Sequence, residues 1–63
     1  MELIDFRDEQ GVETVSINPA LVTHIIEVGR RGDTYTEIFV VGGAKITVHA
    51  TANDVKTKLR ARS

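Results

Sequence analysis

Between Thr36 and Leu59 the chain reads TEIFVVGGAKITVHATANDVKTKL, two apolar runs joined by a glycine pair and followed by a short amphipathic segment. Residues rich in β-branched and aromatic side chains suit a pleated, half-buried surface, and Gly-Gly supplies the positive φ of a tight primed hairpin turn. A two-residue turn at Gly42-Gly43 sets Val41 opposite Ala44, Phe39 opposite Ile46 and Glu37 opposite Val48. Phe39, Val41, Ile46 and Val48 then form the core face. Ile38 and Val40 fall on the other side, with Thr36, Lys45, Thr47 and His49.

The segment that follows has helix-start chemistry. Thr51 stands as N-cap, and Asp54 takes the place of the usual Glu in a capping box. Ala52, Val55 and Leu59 recur at helical spacing, while Lys56, Lys58, Arg60 and Arg62 gather toward the C-terminal end, where positive charge complements the helix dipole. A helix of about ten residues is unstable by itself, so it is expected to dock on the sheet.

Upstream, Glu2 to Arg7 alternates in the manner of a half-buried strand. A polar four-residue loop, Asp8-Glu9-Gln10-Gly11, sets Ile4 opposite Val15 and keeps Ile4, Phe6, Val15 and Ile17 on one face. Asn18-Pro19 breaks the second strand and suits a cap followed by a single turn over Pro19 to Val22, with Leu21 plugging one end of the sheet. A third strand is expected from Thr23 to Val28, a charged five-residue tip at Gly29 to Asp33, and a fourth strand from Thr34 to Val41. With Val28 opposite Thr34, Ile25 joins the core, and His24, Ile26 and Val28 join Ile38 and Val40 on a second apolar face too large to leave wet. The expected fold is α+β, mainly β: an antiparallel meander of four to five strands with one C-terminal helix across a face. An SH3-like, partly closed barrel is the alternative, because bends at Pro19 and Gly42-Gly43 would let short strands curl.

Sixty-three residues make a single domain that buries only roughly 60% of its unfolded surface, and with no cysteine neither a disulfide nor thiolate-bound zinc can staple it. Good packing or oligomerisation must substitute. Eight Lys and Arg against nine Asp and Glu leave no overall positive field, so any nucleic-acid footprint has to be local. The start, MELIDFRDEQ, carries neither a basic region nor an apolar run of a signal peptide, and nothing approaches the ~20 apolar residues of a membrane span. A cytoplasmic setting is the default expectation.

Chemistry-bearing constellations are sparse. His24 and His49 share the second face but lack the spacing of a metal motif, and no serine or threonine sits in a nucleophile-elbow context. Arg31-Gly32-Asp33 spells an integrin-ligand tripeptide, but a three-residue match is too short to be specific and a charged tight turn explains it far better. The five glycines make no phosphate cradle. No cofactor and no enzymatic activity are expected. The remaining candidates are an interface made by His24, Ile26, Val28, Ile38 and Val40, and a basic patch of Arg30, Arg31, Lys56, Lys58, Arg60 and Arg62. Aromatic platforms for stacking bases are scarce, Tyr35 being the one candidate.

From Asn18 to Leu59 the order of features is a strand ending in INPALV, a strand HIIEV, a loop, IFVVGGAKITV, then ATANDVKTKL. It resembles the FlbD family of small bacterial flagellar and swarming-motility proteins, with Asn18, Pro19, Leu21, Val22, Gly43, Val48 and Val55 at the matching places over about two-thirds of the chain. The tip at Gly29 to Asp33 is longer than the family's turn, and Gly42-Gly43 stands for the commoner Asn-Gly. The resemblance implies a motility accessory and brings no binding residues. Together these readings lead to a non-enzymatic module that self-associates, as a homo-oligomer or with another protein, through a sheet face or edge. A small nucleic-acid-binding protein is the alternative.

Overall fold

The computed structural model describes residues 3–62, so Glu2, expected to open the first strand, lies outside them. The elements are β1 (Ile4–Arg7), β2 (Thr14–Ile17), a 3₁₀ turn (Pro19–Leu21), β3 (Val22–Arg30), β4 (Asp33–Val40), β5 (Lys45–Val48) and α1 (Ala52–Arg62). They form two antiparallel sheets, β1-β2 and β3-β4-β5, with one helix and no closed barrel. The mainly β, helix-capped meander read from the sequence is therefore the fold, and the barrel alternative is not.

In the first hairpin Ile4 pairs with Ile17 and Phe6 with Val15, leaving residues 8–13 as the loop. The pairing differs by two positions from that of a four-residue loop, because Asp8 organises the longer one. Its carboxylate accepts from the Val12 and Glu13 N–H groups at 3.0 and 3.3 Å, and its own N–H donates to the Glu13 carbonyl. A shift of two preserves the faces, since side chains alternate with period two. Ile4, Phe6 and Ile17 are accordingly buried, with Val15 packed against them.

The 3₁₀ turn begins as Asn18-Pro19 requires: the Asn18 side-chain oxygen accepts from the Ala20 N–H at 3.0 Å, and Pro19 stands where no N–H is needed. Leu21 does not plug the sheet. It is 47% exposed, and its carbonyl instead accepts from the Val41 N–H, tying the turn to the far end of β4.

Both hairpins of the second sheet differ from expectation by one residue. Arg30 pairs with Asp33, so the tip is a two-residue turn, Arg31-Gly32, with φ of 50° and 85°. The Gly42-Gly43 hairpin has a three-residue loop: Val40 N–H donates to the Ala44 carbonyl, and Val41, Gly42 and Gly43 lie between them. Phe39 consequently pairs with Lys45 and Ile38 with Ile46. Two single-residue shifts cancel between β3 and β5, which keep their expected facing, but they turn β4 over. Ile38 is fully buried and Val40 packs against the core, whereas Phe39 and the 65% exposed Val41 do not belong to it.

The core face of the sheet carries Ile25, Thr36, Ile38, Val40, Ile46 and Val48, covered by the β1-β2 hairpin and α1. Backbone pairing joins the two sheets at one end, where Asp8 bridges Val48 and the His49 N–H donates to the Arg7 carbonyl at 3.1 Å. Thr51 caps α1 as expected, its hydroxyl accepting from the Asp54 N–H at 3.1 Å. Val55 is fully buried, with Leu59 packed on the core one turn later. The buried hydroxyl of Thr36 donates to the Ala50 carbonyl at 2.8 Å, so the one buried polar residue among those described is satisfied.

Candidate self-association surface

With β4 turned over, the face of β3-β4-β5 opposite the core carries His24, Ile26 and Val28 from β3, Tyr35, Glu37 and Phe39 from β4, and Lys45 and Thr47 from β5. No element of the described chain covers it. His24 stacks on Phe39, directly opposite it in the ladder, with ring centroids 4.3 Å apart and planes 10° from parallel. Tyr35 and His49 meet at 5.1 Å. Ile26, 46% exposed, lies between these aromatic pairs, beside Glu37 and its ion pair with Lys45 at 3.4 Å. Of the five expected interface residues, His24, Ile26 and Val28 thus lie on the open face. Ile38 and Val40 are core, and Phe39 and Tyr35 take their places.

The same sheet ends in an unpartnered strand. Among the described residues β3, nine residues long, pairs only with β4, so its outer edge presents free backbone groups. The turn geometry shows which. A two-residue turn makes Arg30 and Asp33 a hydrogen-bonded pair, and alternation then makes residues 28, 26 and 24 bond toward β4. Ile25, Glu27 and Gly29 turn their N–H and C=O groups outward.

Glu27 has a role that the sequence reading did not assign. It faces the helix side, opposite Thr36, and its carboxylate accepts from the Ala52 N–H at 2.9 Å, adding a cap distant in sequence to that of Thr51. A lone acid in the apolar run HIIEV was the available signal. The edge's single charge between His24 and Gly29 is thus held on the helix side of the sheet, away from the open face.

The basic residues do not converge. Arg30 lies 4.0 Å from Glu9, beyond the end of β1, and Arg31 forms the hairpin tip. Lys58 lies near the start of β1, donating to the Asp5 carbonyl at 2.7 Å and passing 4.9 Å from the Phe6 ring centroid. Lys56 and Arg60 are exposed on α1, and Arg62 closes it, its side chain outside the described atoms. An open cleft of about 290 Å³ beside α1 is lined by Phe6, Arg7, His49, Asp54 and Lys58 among others, without a convergent ligand set. Among the described residues no three His, Asp or Glu side chains group to hold a metal, and no helix is long and apolar enough to cross a membrane.

The likeness to known proteins adds nothing to this geometry: no protein family, characterised protein or solved structure matches the chain.

Proposed function

We propose that this chain is a non-enzymatic interaction module whose partner is a second copy of itself. The observation that carries the reading is the outer edge of the nine-residue β3, without a partner among the described residues and continuous with an open face bearing Ile26, Val28 and Phe39. Natural edge strands are blunted by charged side chains, Pro, short length or bulges; between His24 and Gly29 this one has no Lys, Pro or bulge, its bulge lying at Val22/His24 and its single charge, Glu27, accepting from the Ala52 N–H. The small core supports the same reading. Six hydrophobic side chains are buried among the described residues, each contributing about 1.5–3 kcal/mol, and a partner copy would add to that burial.

The nucleic-acid alternative has less support, because Arg30 and Lys58 each already have a protein contact, Arg30 with Glu9 and Lys58 with the Asp5 carbonyl. A place among the FlbD-like motility accessories rests on the order of Asn18, Pro19, Leu21, Val22, Gly43, Val48 and Val55, and flagellar gene neighbours would support it. Sedimentation equilibrium tests the main reading: a dimer at high micromolar concentration is expected, and a well-folded monomer throughout would overturn it. A low-salt gel shift that retards DNA or RNA would favour the alternative instead.

A further inference from the structure

Resting on that self-association reading, we infer that two copies join through β3 in one register, antiparallel about a two-fold axis with Ile26 facing Ile26 of the second copy, to make a continuous six-stranded sheet. Self-pairing of an edge must be isologous, so each residue i meets a residue j whose numbers share one sum. The outward backbone groups belong to odd-numbered positions, Ile25, Glu27 and Gly29, and that restricts the sum to even values.

Three even registers keep most of the strand engaged, and side chains separate them. Centring on Glu27 puts two carboxylates directly opposite each other, which is destabilising. Centring on Ile25 draws Thr23 into a bonded pair with Glu27, but the ladder slips between Val22 and His24, making Thr23 the extra residue of a bulge. A bulge disrupts pairing locally and terminates it.

Centring on Ile26 keeps the bulge out of the ladder and moves the two carboxylates from directly opposed to diagonal positions, each held toward its own helix by the Ala52 N–H. Ile25 and Glu27 exchange backbone bonds with Glu27 and Ile25 of the other copy, giving four hydrogen bonds, and the bulge and the Arg31-Gly32 turn lie outside the ladder. On the open face Ile26 packs on its copy, flanked on each side by His24 against Val28. The stacking of His24 on Phe39 holds that imidazole in the sheet plane's apolar layer. A two-fold normal to the sheet also keeps both helices on the same side, so neither core is opened.

Cysteine scanning tests the register, aided by a chain that contains no cysteine. In a non-hydrogen-bonded pair the Cα atoms lie about 4.5 Å apart, within disulfide range. Ile26→Cys should therefore give a covalent dimer rapidly under oxidised glutathione, two thiols losing their protons and two electrons to the glutathione disulfide. Val28→Cys, whose copies would be separated by four residues of strand, and Ser16→Cys, on the β2 edge, should not. Dimerisation in sedimentation with crosslinking at Val28 or Ser16 instead of Ile26 overturns the register while leaving self-association standing. A monomer in sedimentation, with no rapid crosslink at any of the three, overturns both.

Discussion

Ile38 loses all of its accessible surface on β4, whereas its neighbour Phe39, with the larger side chain, keeps part of its surface in water. Truncating Ile38 to Ala should cost about 2–5 kcal/mol through lost transfer energy and the cavity left behind. A chain of 63 residues has roughly 3–9 kcal/mol in all at typical stability per residue, so Ile38→Ala should be largely unfolded in mild urea. Phe39→Ala should be clearly less costly. Equal losses, or the reverse order, would return β4 to the facing that a two-residue Gly42-Gly43 turn predicts. Asp8 makes a second prediction at this scale. Desolvation pushes its carboxyl up, but the N–H groups of Val12, Glu13, Gly11 and Gln10 together outweigh that and hold it below its ordinary value of 3.8. A depressed folded value means that Asp8 contributes stability above about pH 3.8, lost as pH falls through the lower folded value. Urea denaturation at pH 6 and pH 3 should show the wild-type advantage over Asp8→Asn shrinking in acid. A pH-independent difference would mean that the loop's hydrogen bonds do not depend on the charge.

At the scale of elements, the strands, the 3₁₀ turn and the helix cap were legible in the sequence, while the parity of two turns was not. Gly29 and Gly32 bracket a stretch that suits a wide loop, and the actual turn places Arg31 at a φ of 50°, which most non-glycine residues avoid. Gly42-Gly43 fits a two-residue primed turn as well as the three-residue loop it serves. A usable signal was charge: the two-residue register puts Glu37 on the core face between Phe39 and Val48, and the observed register puts it on the open face with Lys45. The Arg31 strain is itself testable. Asn tolerates the left-handed region, so Arg31→Asn should raise stability by about 0.5–1 kcal/mol, read as a higher urea midpoint with unchanged slope. No gain would mean that Arg31 makes a compensating contact. Glu27 links two elements distant in sequence, and Glu27→Gln keeps an acceptor for the Ala52 N–H while removing the charge at the helix N-terminus. Its expected cost is about 0.3–1 kcal/mol, at the lower end because the residue is exposed. Loss of helical circular dichroism in Glu27→Ala but not in Glu27→Gln would locate the effect in the hydrogen bond rather than the charge.

For the whole molecule, the proposed pairing through β3 would make stability and association one equilibrium rather than two. A second copy that binds only the folded chain stabilises it by mass action, so unfolding temperature should rise with protein concentration. Per-residue unfolding entropies scaled to 63 residues put that rise at about 5 °C for each tenfold increase in the range where dimer predominates. Ile26→Lys separates the two contributions. Ile26 is half-exposed and outside the core cluster, so the change should shift the monomer's own stability by no more than about 1 kcal/mol. Across the two-fold it places two ammonium groups side by side on one face, where like charges repel and four backbone hydrogen bonds are the main attraction. The variant should melt at the same temperature at every concentration and sediment as a monomer, while the wild-type curve climbs to meet and pass it. A wild-type melting temperature that is flat over the same range would show the fold to be sufficient by itself, and the edge of β3 to be free in solution.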